Sequence, residues 1–115
     1  MLRGDIRLVN FGPGLVGEPA QRRPAVIVSN DGANAVAARL GRGALTVAPM
    51  TSNITRVYPF QVLVPAESSG LDMDSKAQAE QVRTVSVARI GDRVGQIPAP
   101  LMLAIDDALR LHLAL

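Results

Sequence analysis

Cysteine and tryptophan are both absent from this chain of 115 residues. Without thiols there is no disulfide framework and no thiolate metal site. Histidine occurs once, as His112, and one imidazole cannot hold a zinc ion. Aromatic residues amount to only 3%, so the core falls to Val, Leu, Ile and Ala. No apolar run approaches the ~18 residues that cross a bilayer. The opening MLRGDIRLVNF lacks the apolar centre of a secretion signal. The expectation is a cytoplasmic protein with no membrane role. Familiar catalytic patterns are missing too: there is no P-loop, no GxGxxG and no Ser–His–Asp set with a serviceable histidine. Neither a cofactor nor a metal is expected.

What is present favours one folded domain over residues 1–115. Hydrophobic residues reach 48%, enough to pay the entropy of ordering a small core. The net charge is +2, which is compatible with a polyanionic partner without requiring one. The basic residues are nearly all arginine, with Lys76 the sole lysine. Arginine suits phosphate because its planar fork meets two oxygens at once.

DIRLVNF (5–11) alternates and reads as a strand with one partly wet face. The Gly/Pro-rich GPGLVGEPAQ (12–21) is a loop, long enough in a small domain to hint at function. AVIVSN (25–30) reads as a short buried strand ending in a turn, and the stretch to Leu40 as one or two helical turns. ALTVAPM (44–50) is a strand expected to stop near Pro49, and PFQVLVPA (59–66) an edge strand between prolines. ESSGLDMD (67–74) is a turn. Residues 75–87 begin as a strand and are expected to end in a helical turn after Thr84; 92–97 is a last strand. PAPLMLAIDDALRLHLAL (98–115) is the one long helix, with Leu101, Ile105, Ala108 and His112 on a single stripe. Hairpin-linked strands and one terminal helix, without βαβ alternation, predict a mainly β fold: a small antiparallel barrel with a packed helix.

The polar groups left for chemistry stand at strand ends. Arg23 precedes Pro24 and the buried strand, and Glu18 lies five residues earlier in the loop. Thr51 and Ser52 follow the third strand, and Glu80, Gln81 and Arg83 sit among small residues. Taken singly, each has an ordinary explanation: a solvated arginine at a strand entrance, a turn, a polar strand face. His112 reads as a packed or half-exposed helix residue. Together, an acid, an arginine and a hydroxyl can surround a phosphodiester. Cleaving RNA through its own 2′-OH needs a group for the 2′ proton, one for the phosphorane charge and one for the leaving 5′ oxygen.

The ordered set RGDI (3–6), E-x4-RP (18–24), AVIVSN (25–30), PMTS (49–52), YPFQV (58–62) and AEQVRTV (79–85) resembles the MazF/PemK toxins of bacterial toxin–antitoxin pairs over nearly the whole chain. The resemblance implies an SH3-like barrel of the MazF/CcdB type with a C-terminal helix. It implies a homodimer that cuts single-stranded RNA without a metal, leaving 2′,3′-cyclic phosphate and 5′-hydroxyl ends. It also implies a cognate antitoxin whose acidic, partly disordered tail covers the RNA groove. By position, the family's catalytic arginine falls on Arg23, its threonine on Thr51 and its loop glutamate on Glu18. RNA contacts are then expected from Arg22, Gly17, Ser52, Asn53, Glu80, Gln81 and Phe11. One stretch departs from the pattern: the family's loop G-[ST]-E is here Val16-Gly17-Glu18, without the hydroxyl.

The same barrel in CcdB-type proteins poisons gyrase, and a barrel that binds RNA without cutting it is a further alternative. Arg23 and Thr51, both present, argue for the ribonuclease.

Overall fold

Strand β1 (Asp5–Asn10) sits between two partners and buries Ile6 and Val9 completely. It pairs antiparallel with β2 (Arg22–Ile27), Ile6 opposite Val26 and Val9 opposite Arg23. The hairpin between them closes through Phe11 N–H to Gln21 O (2.9 Å) and Gln21 N–H to Gly12 O (3.2 Å). The computed structural model describes residues 1–12 and 21–115, so the loop residues 13–20 lie outside the description. β2 begins earlier than its apolar run, at Arg22, because β1 supplies a partner for both arginines. It ends at Ile27, where Val28 and Ser29 turn to donate to Thr46 O.

The strands β3 (Ala44–Thr51), β4 (Gln61–Val64), β5 (Ser75–Gln78), β6 (Arg83–Ser86) and β7 (Ile90–Gln96) complete a seven-stranded antiparallel sheet. Its order is β4-β5-β3-β2-β1-β7, with β6 beside β3. The expected barrel is therefore an open sheet: among the described residues its two ends, β4 and β7, do not pair. β4 is an edge strand, where its flanking prolines do no harm.

β3 runs through Pro49 to Thr51 and does not stop at the proline. The reason lies in its neighbours. β6 pairs with Ala44–Val47 and β5 with Met50 and Thr51, so Pro49 falls in the gap between them. A missing N–H on that side interrupts no ladder. β6 is likewise extended where a helical turn was expected, since Leu45 and Val47 offer it a free edge. The turn comes later, as a 3₁₀ segment at Val87–Arg89, and another 3₁₀ turn at Ala79–Gln81 leads into β6.

Helix α1 (Asp31–Leu40) is longer than the one or two turns expected. Asn30 caps it by accepting from Ala33 N–H at 2.8 Å, and Gly41 ends it at φ 65°. α2 (Ala66–Ser69) is a single turn that begins at the last residue of the expected 59–66 strand and runs into the expected 67–74 turn. α3 (Ala99–Leu113) has Pro100 in its first turn. It buries Ile105 and Ala108, with Leu101, Met102 and Leu109 packed beside them. His112 is exposed and so leaves the apolar stripe, because the helix outruns the sheet beneath it.

The sheet is apolar on both faces. One face, with Ile6, Val26, Ala48 and Met50, packs against α3. The other, with Val9, Ala25, Ile27 and Val47, meets Ala37 of α1 and Val85 and Val87. That is why AVI in β2 is buried at every residue. Arg3 ties the layers together. Its guanidinium pairs with Asp106 of α3 at 2.6 Å and donates to Val28 O at 2.8 Å, while its backbone N–H donates to Asp31 at 2.6 Å.

Candidate functional site

Strand register relates the two residues expected to carry the chemistry, Arg23 and Thr51. β2 and β3 pair with Ala25 opposite Pro49. Continuing that register two places sets Arg23 opposite Thr51. Both fall on the sheet face of Val9, Ala25 and Val47. At this end of the sheet the face is no longer covered. Arg23 is exposed and Thr51 half-buried. The Thr51 hydroxyl oxygen accepts from Asn53 N–H at 3.2 Å. Among the described residues its own proton has no acceptor, so it can be donated to a phosphate oxygen.

Further residues join them on this face. Val47 pairs with Arg83 of β6, and the Arg83 guanidinium lies 4.7 Å from the centre of the Phe11 ring. Thr51 pairs on its other side with Lys76 of β5, and Lys76 with Leu63 of β4. Gln61, next on that face of β4, donates to Glu80 Oε1 at 2.8 Å. The second carboxylate oxygen of Glu80 is buried and has no partner among the described residues. Gln81, one residue on, is exposed. Lys76 and Arg83 thus extend the charge of Arg23 along the sheet.

Two expected residues stand elsewhere. Side chains alternate along a strand, so Arg22 turns to the opposite face from Arg23. There it lines a cleft of about 230 Å³ with Asn10, Arg89 and Asp92. Ser52 lines, together with Thr51, a larger cavity of about 520 Å³ whose other walls include Leu8, Pro24, Met50, Leu71, Asp72 and Val94. Among the described residues its one charged wall is Asp72 and no basic side chain lines it, so its size does not make it the phosphate site. Asn53 is exposed and folds its carbonyl back toward Thr55 N–H at 3.4 Å. Gly17 and Glu18 lie outside the described residues, in the loop whose base is the Phe11–Gln21 and Gly12–Gln21 pair.

Lys76 and Gln61 do not stand out as site residues in the sequence. Only the count of one lysine in the chain set Lys76 apart. Among the described residues, no group of three or more His, Asp or Glu side chains is placed to hold a metal ion. What the face offers is cationic and hydrogen-bond donating: a guanidinium, a hydroxyl and further cations along one strip. Such an arrangement binds a phosphodiester and stabilises added negative charge on it.

Residues 2–113 match the family described as PemK-like, MazF-like toxin of type II toxin–antitoxin system. The chain is 51% identical to the endoribonuclease MazF9 of Mycobacterium tuberculosis over 115 residues, covering 100% of this chain and 98% of that protein. It is 31% identical to the endoribonuclease EndoA of Bacillus subtilis over 114 residues, covering 98% and 94%. In fold it is similar to MazE–MazF (form II) of Deinococcus radiodurans, with a TM-score of 0.79 and 26% identity over 100% of this chain and 96% of that one. It also matches the fold of a mycobacterial endoribonuclease in complex with its cognate antitoxin, with a TM-score of 0.75, 23% identity, and coverage of 100% and 96%.

Proposed function

The chain belongs to the PemK-like, MazF-like toxins of type II toxin–antitoxin systems, and from that premise we propose that it is an endoribonuclease toxin cutting single-stranded RNA at the Arg23–Thr51 face. The observation that supports this reading is the β2–β3 register of Ala25 opposite Pro49, which, continued two places, aligns Arg23 with Thr51. In this reading the RNA 2′ oxygen attacks the adjacent phosphorus and the bond to the 5′ oxygen breaks. The ends are a 2′,3′-cyclic phosphate and a 5′-hydroxyl. Glu18 takes the 2′ proton. Arg23 cannot serve as the base, since its guanidinium does not deprotonate. It neutralises the phosphorane and donates a hydrogen bond to the leaving 5′ oxygen, which takes up a proton from water as its bond to phosphorus breaks. Thr51 donates to a non-bridging oxygen. None of these steps calls for a metal or a cofactor.

The working unit is one domain, residues 1–115, acting as a homodimer in the cytoplasm where its RNA is. No helix among the described residues is long and apolar enough to cross a membrane. Exposed Leu103, Leu111 and Leu115 on α3 and its end leave apolar surface for a second copy. The antitoxin is an acidic chain, matched to a face carrying Arg23, Lys76 and Arg83. Phe11, Glu80 and Gln81 border that face and are the residues placed to meet bases.

The test is incubation with a long single-stranded RNA in EDTA, beside Arg23→Ala and Glu18→Gln, with analysis of the product ends. Discrete cuts with cyclic-phosphate ends, lost in Arg23→Ala and slowed in Glu18→Gln, are expected. Cleavage that survives Arg23→Ala would overturn the site. An unchanged rate and pH profile in Glu18→Gln would move the base elsewhere.

A further inference from the structure

Lysine is used once in this chain, and it is used in the interior: Lys76 is only 8% exposed. Lysine is seldom so buried unless its ammonium group is paired. Here the Nζ donates to the Arg56 carbonyl oxygen at 2.7 Å and lies 5.9 Å from the centre of the Tyr58 ring. A carbonyl and an aromatic face are both suited to a cation. What they fasten is the exposed segment 52–60, which leaves the sheet at Thr51. Thr51 is the residue directly opposite Lys76 in the ladder. One cation therefore links the strand end that carries the hydroxyl to the segment that departs from it.

The segment presents an aromatic surface. The Tyr58 ring is stacked on Phe60, with centroids 5.3 Å apart and planes 5° from parallel, and Tyr58 is still 41% exposed. Its backbone N–H donates to Gln61 Oε1 at 3.1 Å, and Gln61 in turn holds Glu80. The Arg56 guanidinium stands 5.7 Å from the same ring. A ring backed by a second ring, fixed through its backbone and flanked by cations, is a surface on which an unpaired base stacks.

We propose that Lys76 is a positioning residue of the ribonuclease site: it fastens the 52–60 segment so that Tyr58 is a rigid stacking platform for one base of the RNA, beside the phosphate at Arg23 and Thr51. The inference rests on the ribonuclease reading above. Stacking tolerates any base, so the platform takes an unpaired nucleotide and excludes a duplex, whose bases show no free face.

The chain has one tyrosine and no tryptophan, so its tyrosine emission reports Tyr58 alone. The probe is a fully 2′-O-methylated single-stranded oligonucleotide spanning a cleaved site, which lacks the nucleophile. Its binding is expected to quench Tyr58 in the unaltered protein. Lys76→Met is expected to lower Tyr58 anisotropy, weaken the quench and raise KM for the cleavable RNA about tenfold, with kcat within about twofold. Lys76→Arg restores all three. Unchanged anisotropy, quench and KM in Lys76→Met would overturn the proposal, as would a fall in kcat at constant KM. Should Lys76→Met not fold, Tyr58→Ala at an exposed position decides the matter: KM raised about tenfold in a folded protein supports the platform and an unchanged KM overturns it. A protein that cleaves RNA with Tyr58 unquenched loses the platform alone. A protein quenched by the oligonucleotide but cleaving no RNA loses the ribonuclease reading alone.

Discussion

In the proposed mechanism Arg23 and Thr51 do different work, and conservative substitutions separate it. Arg23→Lys keeps the charge but loses the fork that meets two phosphate oxygens. The expected result is a fall in kcat of about a hundredfold with KM little changed, because the second donor matters most when charge builds on the phosphorane. Thr51→Val keeps the shape and removes the donor, and should cost about tenfold or more in the same single-turnover assay, while Thr51→Ser stays near the original rate. A kcat for Arg23→Lys equal to the original would show that charge alone suffices. Both residues stand out in sequence because each belongs to a local pattern, an arginine before Pro24 and the hydroxyl that ends PMT. Their juxtaposition does not, because it depends on the β2–β3 register. Lys76 was invisible for a related reason. In SKAQAEQ it alternates with small residues and reads as a wet face. It is buried only because β3 and β4 both pair with β5 and the 52–60 segment folds over it.

Elements with a clean period were legible: alternation gave β1, and the apolar stripe of α3 was apparent down to Ile105 and Ala108. α1 was under-read because DGANAVAARL opens with residues of low helix propensity, Gly32 and Asn34 among them. Asn34 is fully buried, which polarity alone would not predict. Its amide donates to Ser29 O at 3.0 Å and its carbonyl accepts from Ser29 Oγ at 2.6 Å, so the turn before the helix satisfies it. The helix then leans on its cap. Asn30→Ala should lower stability by about 1 kcal/mol, read as a shifted urea midpoint at unchanged slope. RNA cleavage should be unaltered below the transition, since α1 carries none of the site residues. A loss of activity without a loss of stability would place α1 in the site.

The whole molecule presents two faces to a polyanion, and they differ in charge. Arg23, Arg83 and the buried Lys76 share one face, while on the other Arg22 and Arg89 line a cleft that also holds Asp92. Sequence could not make this division: RRP reads as one basic cluster until strand alternation sends its two arginines apart. The consequence is measurable through salt. Each phosphate neutralised on a single strand releases counterions and contributes about −0.7 to the slope of log K against log salt. If the two exposed cations of the first face, Arg23 and Arg83, meet phosphates, that slope is about −1.4 for a 2′-O-methylated oligonucleotide. Arg23→Ala should reduce its magnitude by about 0.7, one contact's share, whereas Arg22→Ala should leave it unchanged. Equal changes in the two variants would mean that the strand wraps the β1–β2 edge and touches both faces. A change in Arg22→Ala alone would move the groove to the Asn10–Asp92 side and take the Arg23–Thr51 pair out of the RNA path.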